Sequence, residues 1–361
     1  MYGLQYTTDD YGIVEIGKKP VILADIISLS QSSPSDKILY PNLKGFDLTH
    51  VRSFNFISST NPDDLLHSVT TGVEPDGTPY VEYIQRTSVS KASDVYVFAS
   101  GQIDSLPDTH GILVKNKQND VVITEEAKNM AYFGEADYYA ARTSISAADK
   151  FWDDFRFGWE FEFRIDGLDE RPPIAFIEPA GVSNEHFTLF GQKYLGGGAW
   201  SFYLAHHNAN ANDGNPGPPP SVHVFCEYDF FPEPSHGFEV YKSNGEIAFH
   251  SGNANPLQID SDETVLPPSR FDNSVAVTLP SVQRPAYLFT GHTLRKEALA
   301  KSIGGVTILS TNVHVSTIKP TSYGVLCRPT NFIESFGSTE PVRNRDETAV
   351  IIIDLDDYIL Q

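Results

Sequence analysis

The chain has 361 residues, a formal net charge of −21 and a pI near 4.8. That balance argues against a nucleic-acid partner, because phosphate binding needs clustered Lys and Arg and the sequence holds no such cluster. Two cysteines, Cys226 and Cys327, exclude a disulfide framework, and no stretch approaches the ~20 apolar residues of a membrane span.

Met1-Tyr2-Gly3-Leu4-Gln5 lacks a basic region followed by an apolar run, so no cleavable signal is expected. Tyr2–Tyr6 and Ile13-Val14, separated by Asp9-Asp10-Tyr11-Gly12, read as a β-hairpin. Pro20–Ile27 is a mainly apolar strand, and Ser28–Asp36 a Ser-rich loop. Phe46–Leu48 and Ser53–Ile57 alternate at period 2, as half-buried strands do. A turn at Asn61-Pro62-Asp63-Asp64 is expected to start a short helix at Leu65. Tyr80–Ile84 and Val95–Ala99 are further strands.

The opening pattern returns at His110-Gly111-Ile112-Leu113-Val114 and again at His236-Gly237-Phe238-Glu239-Val240, where Ser243-Asn244-Gly245 supplies tight-turn chemistry. Aligning Gly111 with Gly237 places Val114 on Val240, Asn119 on Gly245, Val121 on Ile247 and Ile123 on Phe249. The first copy is weaker, with Gly12 shifted by one from the turn position of Gly245. An Arg followed by an apolar strand recurs at Arg52, Arg171 and Arg284. A closing apolar strand recurs at Val95–Ala99, Val222–Cys226 and Val350–Asp354. Internal repetition takes precedence in assigning a fold. The expected fold is all-β: three tandem β-sandwich-like modules, 1–106, 107–233 and 234–361, with minor helical insertions. The three Arg positions read as scaffold, each fixing backbone or a loop in its own module.

Within the second module, Glu125–Ala141 contains Ala, Glu, Lys and Met, and part of it is expected to be helical. In Phe155–Ile165, Trp159, Phe161 and Phe163 share one face, opposite Glu160, Glu162 and Arg164. Tyr194–Leu204 is a second hairpin around Gly196-Gly197-Gly198, followed by a polar, Pro-rich loop, His206–Pro220, that must lie at the surface. In the third module Val275–Leu279 is a strand and Leu294–Lys301 is expected to form a two-turn helix. Val306–Leu309, Val313–Val315, Tyr323–Cys327 and Val350–Leu355 are strands.

His206-His207 with His223 is the one His cluster, and its spacing matches no zinc pattern. Asp260-Ser261-Asp262-Glu263 and Asp354, Asp356 and Asp357 read as runs natural to an acidic chain rather than calcium ligands. Asp153-Asp154 beside Trp152 offers carboxylates, but glycoside hydrolysis depends on their separation in space. No nucleophile elbow, phosphate loop, dinucleotide fingerprint or zincin helix occurs. The expectation is therefore a non-enzyme without catalytic residues, metal or cofactor. A receptor-contact surface is expected at Trp152, Trp200, Tyr203, His206, His207, Asn208, Asn210 and Asn212, since aromatics give contact area at low entropic cost.

The stretch Gly237–Gly252, followed by Pro256-Leu257-Gln258-Ile259, resembles the start of a β-rich domain common in tailed-phage and prophage tail proteins. Those domains are similar also in an Arg-Pro strand, as at Arg284-Pro285, and a closing apolar-Asp strand, as at Ile353-Asp354. The resemblance implies a structural virion component of the tail tip or tail fibre, made in the host cytoplasm and acting in tail assembly and host attachment. Its implied partners are other tail proteins (hub, fibre or tip) and a host-surface receptor or glycan. It also implies a homo-oligomer, with a trimer first by analogy. The alternatives are a soluble carbohydrate-binding lectin or adhesin and, behind it, a glycan-degrading enzyme.

Overall fold

The computed structural model describes residues 5–8, 12–15, 19–20, 22–30, 33–54, 67–85, 93–101, 113–115, 121–124, 130–143, 159–180, 185–208, 218–227, 239–241, 247–250, 257–259, 264–266, 275–278, 282–289, 294–303, 306–321, 324–336 and 348–359. The first segment contributes β1 (Gln5–Thr8), β2 (Gly12–Glu15), β3 (Lys19–Pro20), β4 (Ile22–Leu29), β5 (Asp36–Leu39), β6 (Phe46–Phe54), β7 (His67–Val73), β8 (Pro79–Gln85) and β9 (Ser93–Gly101). The second contributes β10 (Leu113–Lys115), β11 (Val121–Thr124), β12 (Met130–Thr143), β13 (Trp159–Asp166), β14 (Ile174–Glu178), β15 (Glu185–Gly196), β16 (Ala199–Asn208) and β17 (Ser221–Glu227). The third contributes β18 (Glu239–Tyr241), β19 (Ile247–His250), β20 (Gln258–Ile259), β21 (Thr264–Leu266), β22 (Val275–Thr278), β23 (Pro285–Phe289), β24 (Leu294–Ile303), β25 (Val306–Thr321), β26 (Gly324–Phe336) and β27 (Thr348–Asp354). The fold is all-β. Among the described residues the helical elements are 3-10 turns, such as Pro41–Leu43 and Leu355–Asp357, and no helix is long and apolar enough to cross a membrane.

The three opening hairpins are present as β1–β2, β10–β11 and β18–β19. The second and third share one register. Val114 pairs with Ile123 and Lys115 with Val121, as Val240 pairs with Phe249 and Tyr241 with Ile247. Both slip at the same step, between Val114 and Lys115 and between Val240 and Tyr241. The first hairpin pairs without that slip, in keeping with its shifted Gly12.

Apart from β3 and β20, which pair with each other, the remaining strands repeat one pairing order. In the first segment they form β4–β9–β6 and β5–β8–β7. The second has β12–β17–β14 and β13–β16–β15, the third β21–β27–β23 and β22–β26–β25, with β24 added outside β25. Each closing strand is thus the middle strand of its sheet, which explains its unbroken apolar run. Val95 and Val97 face one core, Ala99 a smaller cluster with Leu43 and Phe46, and Tyr96 and Phe98 the main core, all five at most 2% exposed. Across the first core, Ile27, Leu29, Val95 and Val97 of one sheet meet Val69, Val81 and Tyr83 of the other.

The segments do not stand apart. A single pair, Ile177 with Tyr287, joins β14 to β23, and another, Phe187 with Ile318, joins β15 to β25. These links make one 13-stranded sheet of the second and third segments. The largest core cluster draws on all three, from Leu23, Tyr96 and Phe98 through Phe163, Phe202 and Phe225 to Tyr287 and Ile352.

Two expected helices are strands. β12 covers most of Glu125–Ala141; its first half pairs with β17 and its second with β13, so one long strand serves both sheets of its segment. Its aromatics, Tyr132, Phe133, Tyr138 and Tyr139, favour strand over the helix suggested by its Ala and Glu residues. β24 has helical composition, yet its ten residues form a continuous ladder with β25 ending at Ile303 and Val306. The residues between those two are Gly304-Gly305, a hairpin composition that overrides local propensity. The expected helix at Leu65 lies outside the described residues.

Candidate functional site

The expected contact residues divide. Trp200, Tyr203 and His206 are core side chains, with relative exposures of 3%, 6% and 0%. Trp200 donates its indole N–H to the Asp169 carbonyl at 2.6 Å and lies against Tyr194. His206 stands between Phe161 and Phe187, with ring centroids 5.1 and 4.9 Å away. Tyr203 sits opposite Glu162 and Gly191. These three cannot form the surface expected of them, because each completes the packing of β16 instead. His207 and Asn208 continue β16 opposite His186 and Glu185, so the polar stretch begins after Asn208. Trp152, Asn210 and Asn212 lie outside the described residues.

The exposed aromatics are elsewhere. On β12, Tyr138 and Tyr139 are 48% and 55% exposed. The register slips between Tyr138 and Ala140, inserting Tyr139 as an extra residue; such bulges re-aim side chains. Tyr138 keeps the core side, its ring edge-on to Phe161 and Phe163. Tyr139 meets Arg164, whose guanidinium carbon lies 3.3 Å from the ring centroid. Arg164 donates through Nε to Glu162 Oε1 at 2.7 Å, and Nη2 lies 2.7 Å from the same oxygen, which also accepts from Ser201 at 3.0 Å. Asp137 pairs with Arg164 across the ladder and is exposed. Nothing in the sequence marks this ledge, because its exposure depends on a bulge in a strand whose composition reads as helix.

A second cluster lies where the second and third segments meet. Arg284 forks onto Glu178 through Nε (2.6 Å) and Nη2 (2.8 Å). Glu178 Oε2 is 2.9 Å from His223 Nε2, and His223 Nδ1 is 3.2 Å from the Tyr132 hydroxyl. A carboxylate only accepts, so Nε2 carries a hydrogen toward Glu178, while Nδ1 and the Tyr132 hydroxyl share the second bond. Burial alone would raise the Glu178 pKa, but hydrogen bonds from His223 and Arg284 and the Arg284 charge outweigh it and hold it at about 2. Arg284 therefore reaches across the segment boundary, whereas Arg171 bonds Asp169 and Glu227 of its own segment. The Arg52 backbone lies inside β6, opposite Val95, rather than ahead of its strand like the other two. No group of three or more His, Cys, Asp or Glu able to hold a metal ion occurs among the described residues.

No protein-family model matches this chain, and neither a curated protein nor a solved structure matches it.

Proposed function

We propose that the chain is a structural component of a phage tail, at the tail tip or a tail fibre, acting in assembly and host attachment through three tandem β-sandwich-like units. The observation that carries this reading is the threefold recurrence of one pairing order. Counting from β4, β12 and β21, the first sheet strand of each unit pairs with the last and the second with the last but one. That nested order is similar to the outer pairings of a jelly roll, an architecture used in viral capsid and lectin domains. Sheets fused edge to edge and aromatic cores suit a load-bearing part, and the sequence resemblance to tail domains points the same way. Its partners are then neighbouring tail proteins and a host-surface receptor, and it works by binding rather than catalysis.

A lectin or adhesin outside any virion is the second reading, favoured by the exposed Tyr138 and Tyr139. Deleting the gene from its phage separates the two. The tail reading expects particles that lack normal tails or fail to adsorb, restored by the gene in trans. Normal, fully infectious particles from the deletion would contradict it.

A further inference from the structure

We propose that the ledge formed by Asp137, Tyr139 and Arg164 is a binding site for a neutral saccharide, and so the host-contact site of the attachment function just proposed, on which this assignment rests.

Three properties of the ledge point to that ligand. The first is an aromatic surface: Tyr139 is more than half exposed at a bulge. Sugar C–H groups pack on such rings. The second is a fixed donor. Arg164 is anchored at Nε and Nη2 by Glu162, itself 1% exposed, and stacked on Tyr139. Among the described residues Nη1 has no hydrogen-bond partner, so its two N–H groups remain available in a set direction. The third is a nearby acceptor. Asp137 is exposed beside Arg164 and has no hydrogen-bond partner among the described residues. Ring, donor and acceptor on paired strands make a preorganised platform for hydroxyl groups.

The charge selects the class of sugar. Glu162 already neutralises Arg164, Asp137 adds a negative charge, and the chain carries −21. An acidic polysaccharide would be repelled, and a neutral one would not.

The test is binding of the full chain to an array of neutral and acidic bacterial-surface oligosaccharides, repeated with Tyr139→Ala, Asp137→Ala and Tyr139→Phe. The side chains changed are exposed, so thermal melting should match the unsubstituted chain and folding is not in question. The expected result is binding to neutral glycans that falls at least tenfold in Tyr139→Ala and Asp137→Ala and persists in Tyr139→Phe. Binding confined to acidic glycans, binding unchanged by Tyr139→Ala, or no binding to any glycan would each overturn the assignment. Those outcomes leave the tail reading intact, since it is tested separately by the deletion phage.

Discussion

Tyr96 shows how much a single side chain can carry at a boundary. Its hydroxyl, fully buried, donates to the Pro173 carbonyl at 2.6 Å and accepts from Gln192 Nε2 at 2.7 Å, tying the first segment to the second. Burial, reinforced by the charge of Asp94, raises its pKa well above the ordinary value, so it remains a donor. Tyr96→Phe keeps the ring but strands a carbonyl and an amide N–H in the core. It should cost about 1–3 kcal/mol, read as a lower denaturant midpoint with an unchanged slope. The sequence places Tyr96 correctly in a strand, but no pattern in one chain says what a buried hydroxyl will meet 77 residues away. The same gap explains Trp200, Tyr203 and His206. Aromatics beside a Gly- and Pro-rich stretch suggest a surface, yet burial depends on what packs above them.

At the scale of elements, the joint between β14, β17, β23 and β12 is charged, and its stability should follow pH. The Glu178 pKa is held at about 2 against an ordinary 4.5. A lowered carboxylate pKa stabilises the fold fully above about pH 4.5, and that contribution is lost as pH falls toward about 2. Its size is on the order of 2–3 kcal/mol, since Glu178 is only 20% exposed. Glu178→Gln should therefore lower stability at pH 7 and lose less than the unsubstituted chain between pH 4.5 and 2. Parallel acid-unfolding curves for the two proteins would show that the cluster contributes nothing there. The closing strands, opening hairpins and Gly196–Gly198 turn are legible in the sequence because unbroken apolar runs and Gly-rich turns have few alternatives. At Gly196, Gly197 and Gly198 φ is 87°, 65° and 88°, the left-handed region that glycine enters without strain. β12 and β24 are not legible as strands, because Ala, Glu and Lys favour helix until a partner strand supplies the ladder.

For the whole molecule, the repetition is legible in the order of residues alone, while the joining of the units is not. β14 and β23 hold the same place in their units and pair antiparallel, as do β15 and β25. Antiparallel pairing of equivalent strands is the pattern seen across symmetric isologous interfaces. It also covers sheet edges that would otherwise invite aggregation. No periodicity within one unit could announce that contact, because each strand ladder there rests on one paired residue from each unit. The tail reading proposed above asks this chain to sit in the tail and touch a host. Immunogold electron microscopy of intact phage particles, with antibody raised against the full chain, tests that claim most directly. Label at the distal end of the tail is the expected result. Particles that carry no label, and whose denatured proteins also show no matching band, would contradict it.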